Sequence, residues 1–157
     1  MNKEPITVEG LEKLKLELDQ LKNIKRPQIV AAIAEARSHG DLKENAEYHA
    51  AKDKQGFIEA QLSDLEPKFL LSEVVDVKNL SGDIVQFGTT VELENLDNEK
   101  IVKYKIVSEF ESDIDKGLIS NSSPVAQALL RKKEGDEVEI RTPGGVSTYE
   151  ILKITFV

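Results

Sequence analysis

The chain has no cysteine and no tryptophan, and its aromatic residues are five phenylalanines and three tyrosines. Without cysteine there is no disulfide frame, no thiolate nucleophile and no zinc-finger ligand set, which suits a reducing cytoplasm as the expected location. No stretch approaches the roughly 20 apolar residues of a membrane span, and the opening MNKEPITVEG lacks the apolar run of a secretory signal. A soluble protein with no membrane partner is expected. Basic residues are the minority, 21 against 29 acidic ones, for a net charge of −8. That balance argues against a surface built to grip duplex DNA, because neutralisation of phosphates by Lys and Arg dominates such binding. Residues 1–79 carry 12 basic and 15 acidic side chains and residues 80–157 carry 9 and 14, so neither half is a basic module. Any nucleic-acid contact must rest on a few positions. At 157 residues the chain has room for one ordinary domain or two small ones.

What is present is organised in two styles. Over residues 8–38 Leu11, Leu14, Leu18 and Leu21 recur at intervals of three and four, and the stripe is expected to continue through Ile24, Ile29, Val30 and Ile33. Thr7 is the expected N-cap. Pro27 should bend the helix, at a local cost of roughly 3 kcal/mol if unrelieved. Gly40 suits a helix C-terminus, and Asp41 is expected to open a second helix whose pattern includes Ala46, Ala50, Phe57, Ile58, Leu62 and Leu65, weakening at Pro67. So short a connection makes the two helices antiparallel neighbours, and the first arm would be about 45 Å long. From residue 74 onward the period changes. Segments 74–77, 89–96, 101–107, 136–140 and 147–157 read as strands, with turns at 81–83, 97–99 and 142–145. One short helix interrupts them, with Ser123 as N-cap and Pro124 at its first position. The expected class is α+β: an antiparallel coiled-coil hairpin over 1–76, then a β-rich domain with one helix over 77–157.

The turn of the hairpin reads HGDLKENAEYHAAK. Asp41-Leu42-Lys43-Glu44 has the spacing of a capping box, and most such pairs do nothing more than hold a helix start. Their place at the end of a long hairpin gives a second expectation. Two exposed carboxylates one turn apart can share a magnesium ion, which takes one or two protein carboxylates and fills its other positions from waters and substrate. Alone they would hold it weakly, so a partner would have to complete the shell. Arg37, Lys43 and Lys52 are available for phosphate contacts, although a solvated helix surface explains each one singly. Tyr48 is expected to pack on the neighbouring arm, His39 and His49 to lie on the surface, and Asp53 to pair with His49.

The run AAIAEARSHGDLKENAEYHAAKDKQGF resembles the hairpin tip of the bacterial Gre family of transcript-cleavage factors, its GreA type in particular. LISNSSPVAQALLRKKEGDEVEIRTPGGVSTYEILKI resembles the same family's globular domain, which is FKBP-like. This resemblance implies a factor, not itself an enzyme, that acts on backtracked bacterial RNA polymerase. The globular domain would dock at the rim of the secondary channel, with Ser122, Ser123 and Pro124 on the docking side. The hairpin would enter the channel, and Asp41 and Glu44 would help hold a Mg2+ shared with the polymerase active site and orient a water. The polymerase would then hydrolyse its own transcript, freeing short 3′ fragments, in the two-metal manner. Arg37, Lys52 and Lys43 would contact the nascent RNA 3′ end. No cofactor is expected in the isolated protein, which is expected to be a monomer.

Pro67 and Arg131 depart from the family pattern: the first lies where the second helix usually continues, the second replaces a glycine common after the paired leucines. Three rival functions are compatible with the sequence. A non-cleaving relative would obstruct the same channel, but would differ in its tip acids. A prolyl isomerase would need an aromatic pocket, for which Phe87, Tyr104, Phe110, Tyr149 and Phe156 are a poor supply. A hairpin serving an unrelated partner is the third.

Overall fold

The structure, a computed structural model, describes residues 3–157 and divides into two compact units. One comprises Leu11–Ser72; the other joins Lys3–Gly10 to Glu73–Val157.

The first unit is a helical hairpin. Its first arm is built from α1 (Val8–Gln20), a π-helical turn (Leu21–Lys25) and α2 (Arg26–Arg37), and its second is the single 26-residue α3 (Ala46–Leu71). Leu18, Leu21, Ile29, Ile33 and Ala36 are buried on the first arm, and Ile58, Leu62 and Leu65 on the second. Each fully buried Leu or Ile contributes roughly 1.5–3 kcal/mol, so this stripe holds the arms together. Cross-arm ion pairs flank it: Lys22 reaches Glu66 at 3.1 Å, and Arg26 makes a two-pronged contact with Glu59 at 2.8 Å through each nitrogen. This contact raises the Arg26 pKa and lowers that of Glu59.

Pro27 is accommodated by the π turn. The Arg26 N–H bonds the Leu21 carbonyl, five residues back, which widens the turn just ahead of the proline ring. The wider turn takes more residues per revolution and carries Ile24 off the buried stripe, where it is 48% exposed. The expected places of Val30 and Phe57 on that stripe are corrected too. Each adjoins a buried isoleucine, Ile29 or Ile58, and neighbours in a helix point about 100° apart, so only one of each pair faces the other arm. Pro67 lies inside α3 without ending it; the helix runs on to Leu71, where Ser72 caps it.

The second unit is built on a five-stranded sheet of order β5-β4-β3-β7-β6. Its strands are β3 (Thr90–Asn95), β4 (Ile101–Val107), β5 (Leu118–Ser120), β6 (Glu137–Thr142) and β7 (Gly145–Thr155). All neighbours are antiparallel except β4 and β5. The alternation in TVELEN buries Val91, Leu93 and Asn95, and the first two join Ile106, Ile119, Val138, Ile140 and Ile151 in one core with Ala126 and Leu129 of α4 (Pro124–Leu129). Gly117 precedes β5 at φ +74°, and a Cβ there would meet the Lys103 carbonyl at 2.8 Å, so only glycine lets β5 lie this close to β4.

A two-stranded sheet of β1 (Glu4–Thr7) and β2 (Ser72–Val75) ties the amino-terminal segment to this unit. β1 was not expected from its sequence, which is short and contains a proline. Thr7 does cap α1, accepting the Gly10 N–H at 3.0 Å. Its own N–H and hydroxyl donate to the buried Glu111 carboxylate, which also takes the N–H and hydroxyl of Ser108 at 3.2 and 2.8 Å. Four donors on one carboxylate offset the cost of its burial.

Candidate functional site at the hairpin turn

Between α2 and α3 the chain uses eight residues, 38–45, to reverse direction. Ser38 and His39 donate their N–H groups to the Glu35 and Ala36 carbonyls, closing α2, and Gly40 follows at φ +133°, a conformation that side chains disfavour. The second helix does not start at Asp41. It starts at Ala46 with Asn45 as N-cap: the Asn45 Oδ1 accepts the Tyr48 N–H at 3.1 Å. The same side chain donates through Nδ2 to the Ala36 carbonyl at 2.5 Å, so one residue satisfies a group at the end of α2 and another at the start of α3.

That arrangement replaces the expected capping box. Asp41 turns back on its own loop, its Oδ1 accepting the Lys43 N–H at 3.0 Å, and the Glu44 carboxylate makes no hydrogen bond among the described residues. Asn and Asp are equally good caps, and Asn wins here because it also has a donor for the Ala36 carbonyl. The sequence signal was available in N-A-E-Y, where Asn45 directly precedes helix-forming residues. Relieved of capping, Asp41 and Glu44 are both exposed and neither has an ion-pair partner among the described residues. They line a shallow depression together with His39, Asn45, Ala46 and Glu47.

The surrounding groups hold one another in place. The Arg37 guanidinium lies 5.7 Å from the Tyr48 ring centroid, and that ring meets His49 edge-on at 5.6 Å. His39 Nδ1 is 3.3 Å from Glu47 Oε2. His49 contacts the Lys43 carbonyl at 3.3 Å, and no His49–Asp53 pair occurs among the described residues, which corrects that expectation. Tyr48 is half-buried and both histidines are exposed, as expected. The turn thus brings Asp41, Lys43 and Glu44 together, with Arg37 closing α2. Lys52, in the second turn of α3, bonds Gln55 at 3.2 Å. Ser122, Ser123 and Pro124 belong to the other unit. Ser123 is committed to capping α4, accepting the Ala126 N–H at 3.2 Å and donating to the Ser120 carbonyl at 2.7 Å. Ser122 and Pro124 are exposed beside it.

No group of three or more His, Asp or Glu is arranged to hold a metal ion among the described residues. Three carboxylates line the depression at the turn, and of these Glu47 is paired with His39.

Two family models match the chain. The one described as transcription elongation factor, N-terminal, covers residues 4–74, and the one described as transcription elongation factor, GreA/GreB, C-term, covers residues 80–156. Transcription elongation factor GreA of Phenylobacterium zucineum (strain HLK1) is 52% identical over 157 residues, all of both chains. Its counterpart in Jannaschia sp. (strain CCS1) is 54% identical over 157 residues, again all of both. Among solved structures, GreA factor homolog 1 of Thermus thermophilus is 25% identical and covers 98% of this chain and 99% of that one, with a TM-score of 0.45. Matched in both its halves and half identical to these relatives from end to end, the chain belongs to the GreA/GreB family of transcription elongation factors.

Proposed function

We propose that this elongation factor stimulates bacterial RNA polymerase to cleave its own backtracked transcript, with Asp41 and Glu44 supplying ligands that the polymerase centre lacks. The hairpin acts as an antiparallel coiled-coil rod entering the secondary channel. The second unit, FKBP-like in this reading, docks outside through the surface around Ser122, Ser123 and Pro124. The observation that carries the proposal is that both turn carboxylates are exposed and, among the described residues, free of cationic partners, while Asn45 does the capping they would otherwise perform. Such a pair fits a hard divalent cation that a second molecule coordinates as well. Mg2+, when shared with the polymerase, supplies charge neutralisation at the scissile phosphate and a more acidic water. Asp41 and Glu44 hold and orient; Arg37, Lys43 and Lys52 steady the RNA 3′ end by charge, and the hydrolysis itself belongs to the polymerase.

The test is direct. Purified protein is added to a stalled, backtracked bacterial elongation complex with Mg2+, and the RNA is followed for shortening and release of short 3′ fragments. A folded Asp41→Ala, Glu44→Ala double variant is expected to bind the complex and fail to stimulate cleavage. Full stimulation by that variant would end the proposal.

A further inference from the structure

Midway along the arms lies a groove of about 510 Å3 that the turn residues do not use. Lys25, Gln28 and Ile29 line it from the first arm, and Lys54, Phe57 and Gln61 from α3. Two features separate it from the rest of the hairpin surface. Phe57 is 74% exposed, although the adjacent Ile58 is buried, so a large ring stands in water beside an apolar floor. Among the described residues Lys25 and Lys54 have no carboxylate partner, whereas Lys22 and Arg26, on either side of Lys25, are paired with Glu66 and Glu59. In a chain of net charge −8, this strip offers two uncompensated cations around an aromatic side chain.

The spacing says what fits. The cross-arm pairs Lys22–Glu66 and Arg26–Glu59 set Lys25 level with the region of Gln61, seven residues from Lys54. The lysines are therefore separated by about 10 Å along the hairpin, two helical turns. We propose that the groove receives an acidic amphipathic helix of a protein partner, laid lengthwise as a third helix. Carboxylates at positions i and i+7 of that helix meet Lys25 and Lys54, and apolar residues at i+3 and i+4 cover Phe57 and the Ile29–Ile58 floor. A single-stranded nucleic acid suits the groove less well, since its phosphates would require cations along the whole length and the middle here is apolar. This contact is distinct from the transcript-cleavage role of the turn, and neither stands or falls with the other.

The probe is a fluorescent, helix-stabilised synthetic peptide with Glu at i and i+7 and Leu at i+3 and i+4, titrated against the full-length chain by anisotropy. Saturable binding is expected, weakened about tenfold or more by Phe57→Ala and by the double change Lys25→Glu, Lys54→Glu. A peptide with Lys in place of both Glu residues should prefer that double variant over the original chain. All three side chains are exposed, so folding should be unaffected, as melting curves would verify. Amide shift mapping on the unaltered protein gives a second readout, with perturbations expected at Lys25, Gln28 and Phe57. The proposal is overturned by absence of saturable binding, by affinity indifferent to the substitutions, by shifts confined to other surfaces, or by tighter binding of a single-stranded RNA oligomer at the same residues.

Discussion

Replacing Asn45 by alanine should be the most damaging single change in the hairpin turn, and its cost is the sum of two losses. The first is the cap on the Tyr48 N–H, worth about 1 kcal/mol. The second is the donor to the Ala36 carbonyl, worth about 0.5–1.5 kcal/mol; the lower part of that range applies because the His39 N–H still serves that oxygen. Together they predict a loss of about 1.5 kcal/mol, or roughly 3–6 °C in Tm for a chain of this size. Asp41→Ala, by contrast, removes only a bond within an exposed loop and should stay within about 0.5 kcal/mol. Asn45→Asp separates the two losses, since it keeps the cap and discards the donor; it should fall between the other two variants. Urea unfolding followed by far-ultraviolet circular dichroism measures all three. Cleavage assays on the same proteins should invert the order: Asp41→Ala stable and inactive, Asn45→Ala less stable but partly active, its carboxylates intact on a looser turn. Equal destabilisation by Asp41→Ala and Asn45→Ala would refute this assignment of the cap.

Other expectations concern the remainder of the chain. In Gly10→Ala the new Cβ would run into the Glu111 side chain, so the buried carboxylate must move from its donors; a loss of about 1–3 kcal/mol in chemical denaturation is expected. Arg131 sits at φ +72°, where side chains are strained, so Arg131→Gly should raise stability by about 1 kcal/mol and increase Tm. The Glu59 pKa is depressed by its hydrogen bonds to Arg26, so the stability this pair adds is present above the ordinary carboxylate value of 4.5 and lost as pH falls through the depressed one. The stability difference between the unaltered chain and Arg26→Gln should accordingly vanish on acidification, and a difference that grew would contradict the sign.

Much of this architecture was legible because period and burial agree. Leu14, Leu18 and Leu21 fall on one face of an α-helix and are buried, and the strand segments 101–107 and 89–96 lie within a residue or so of β4 and β3. The failures come from effects that one residue's neighbours do not encode. Ile24 reads as a stripe residue only if the helix keeps a constant turn, which Pro27 prevents. β5 is three residues long and exists because β4 offers it an edge; LIS alone carries no alternation to detect. The turn carboxylates stand out by their place at the end of a long hairpin, to which the family resemblance adds, whereas the cap was misassigned on local spacing. Spacing could not show that Asn45 answers to Ala36, nine residues upstream. Arg131 was noticed as a departure from a glycine position, and its positive φ supplies the reason glycine belongs there.

The π turn at Leu21–Lys25 has a further implication for how the arm tolerates changes in length. Removing one residue elsewhere in the first arm would swing everything beyond it by about 100° about the helix axis, turning the apolar face outward and re-aiming the carboxylates. Removing one within this loop of surplus backbone would let it tighten to an ordinary turn, and the two halves of the arm would stay in phase. The arm thus holds a single spare residue, stored where shortening does least harm.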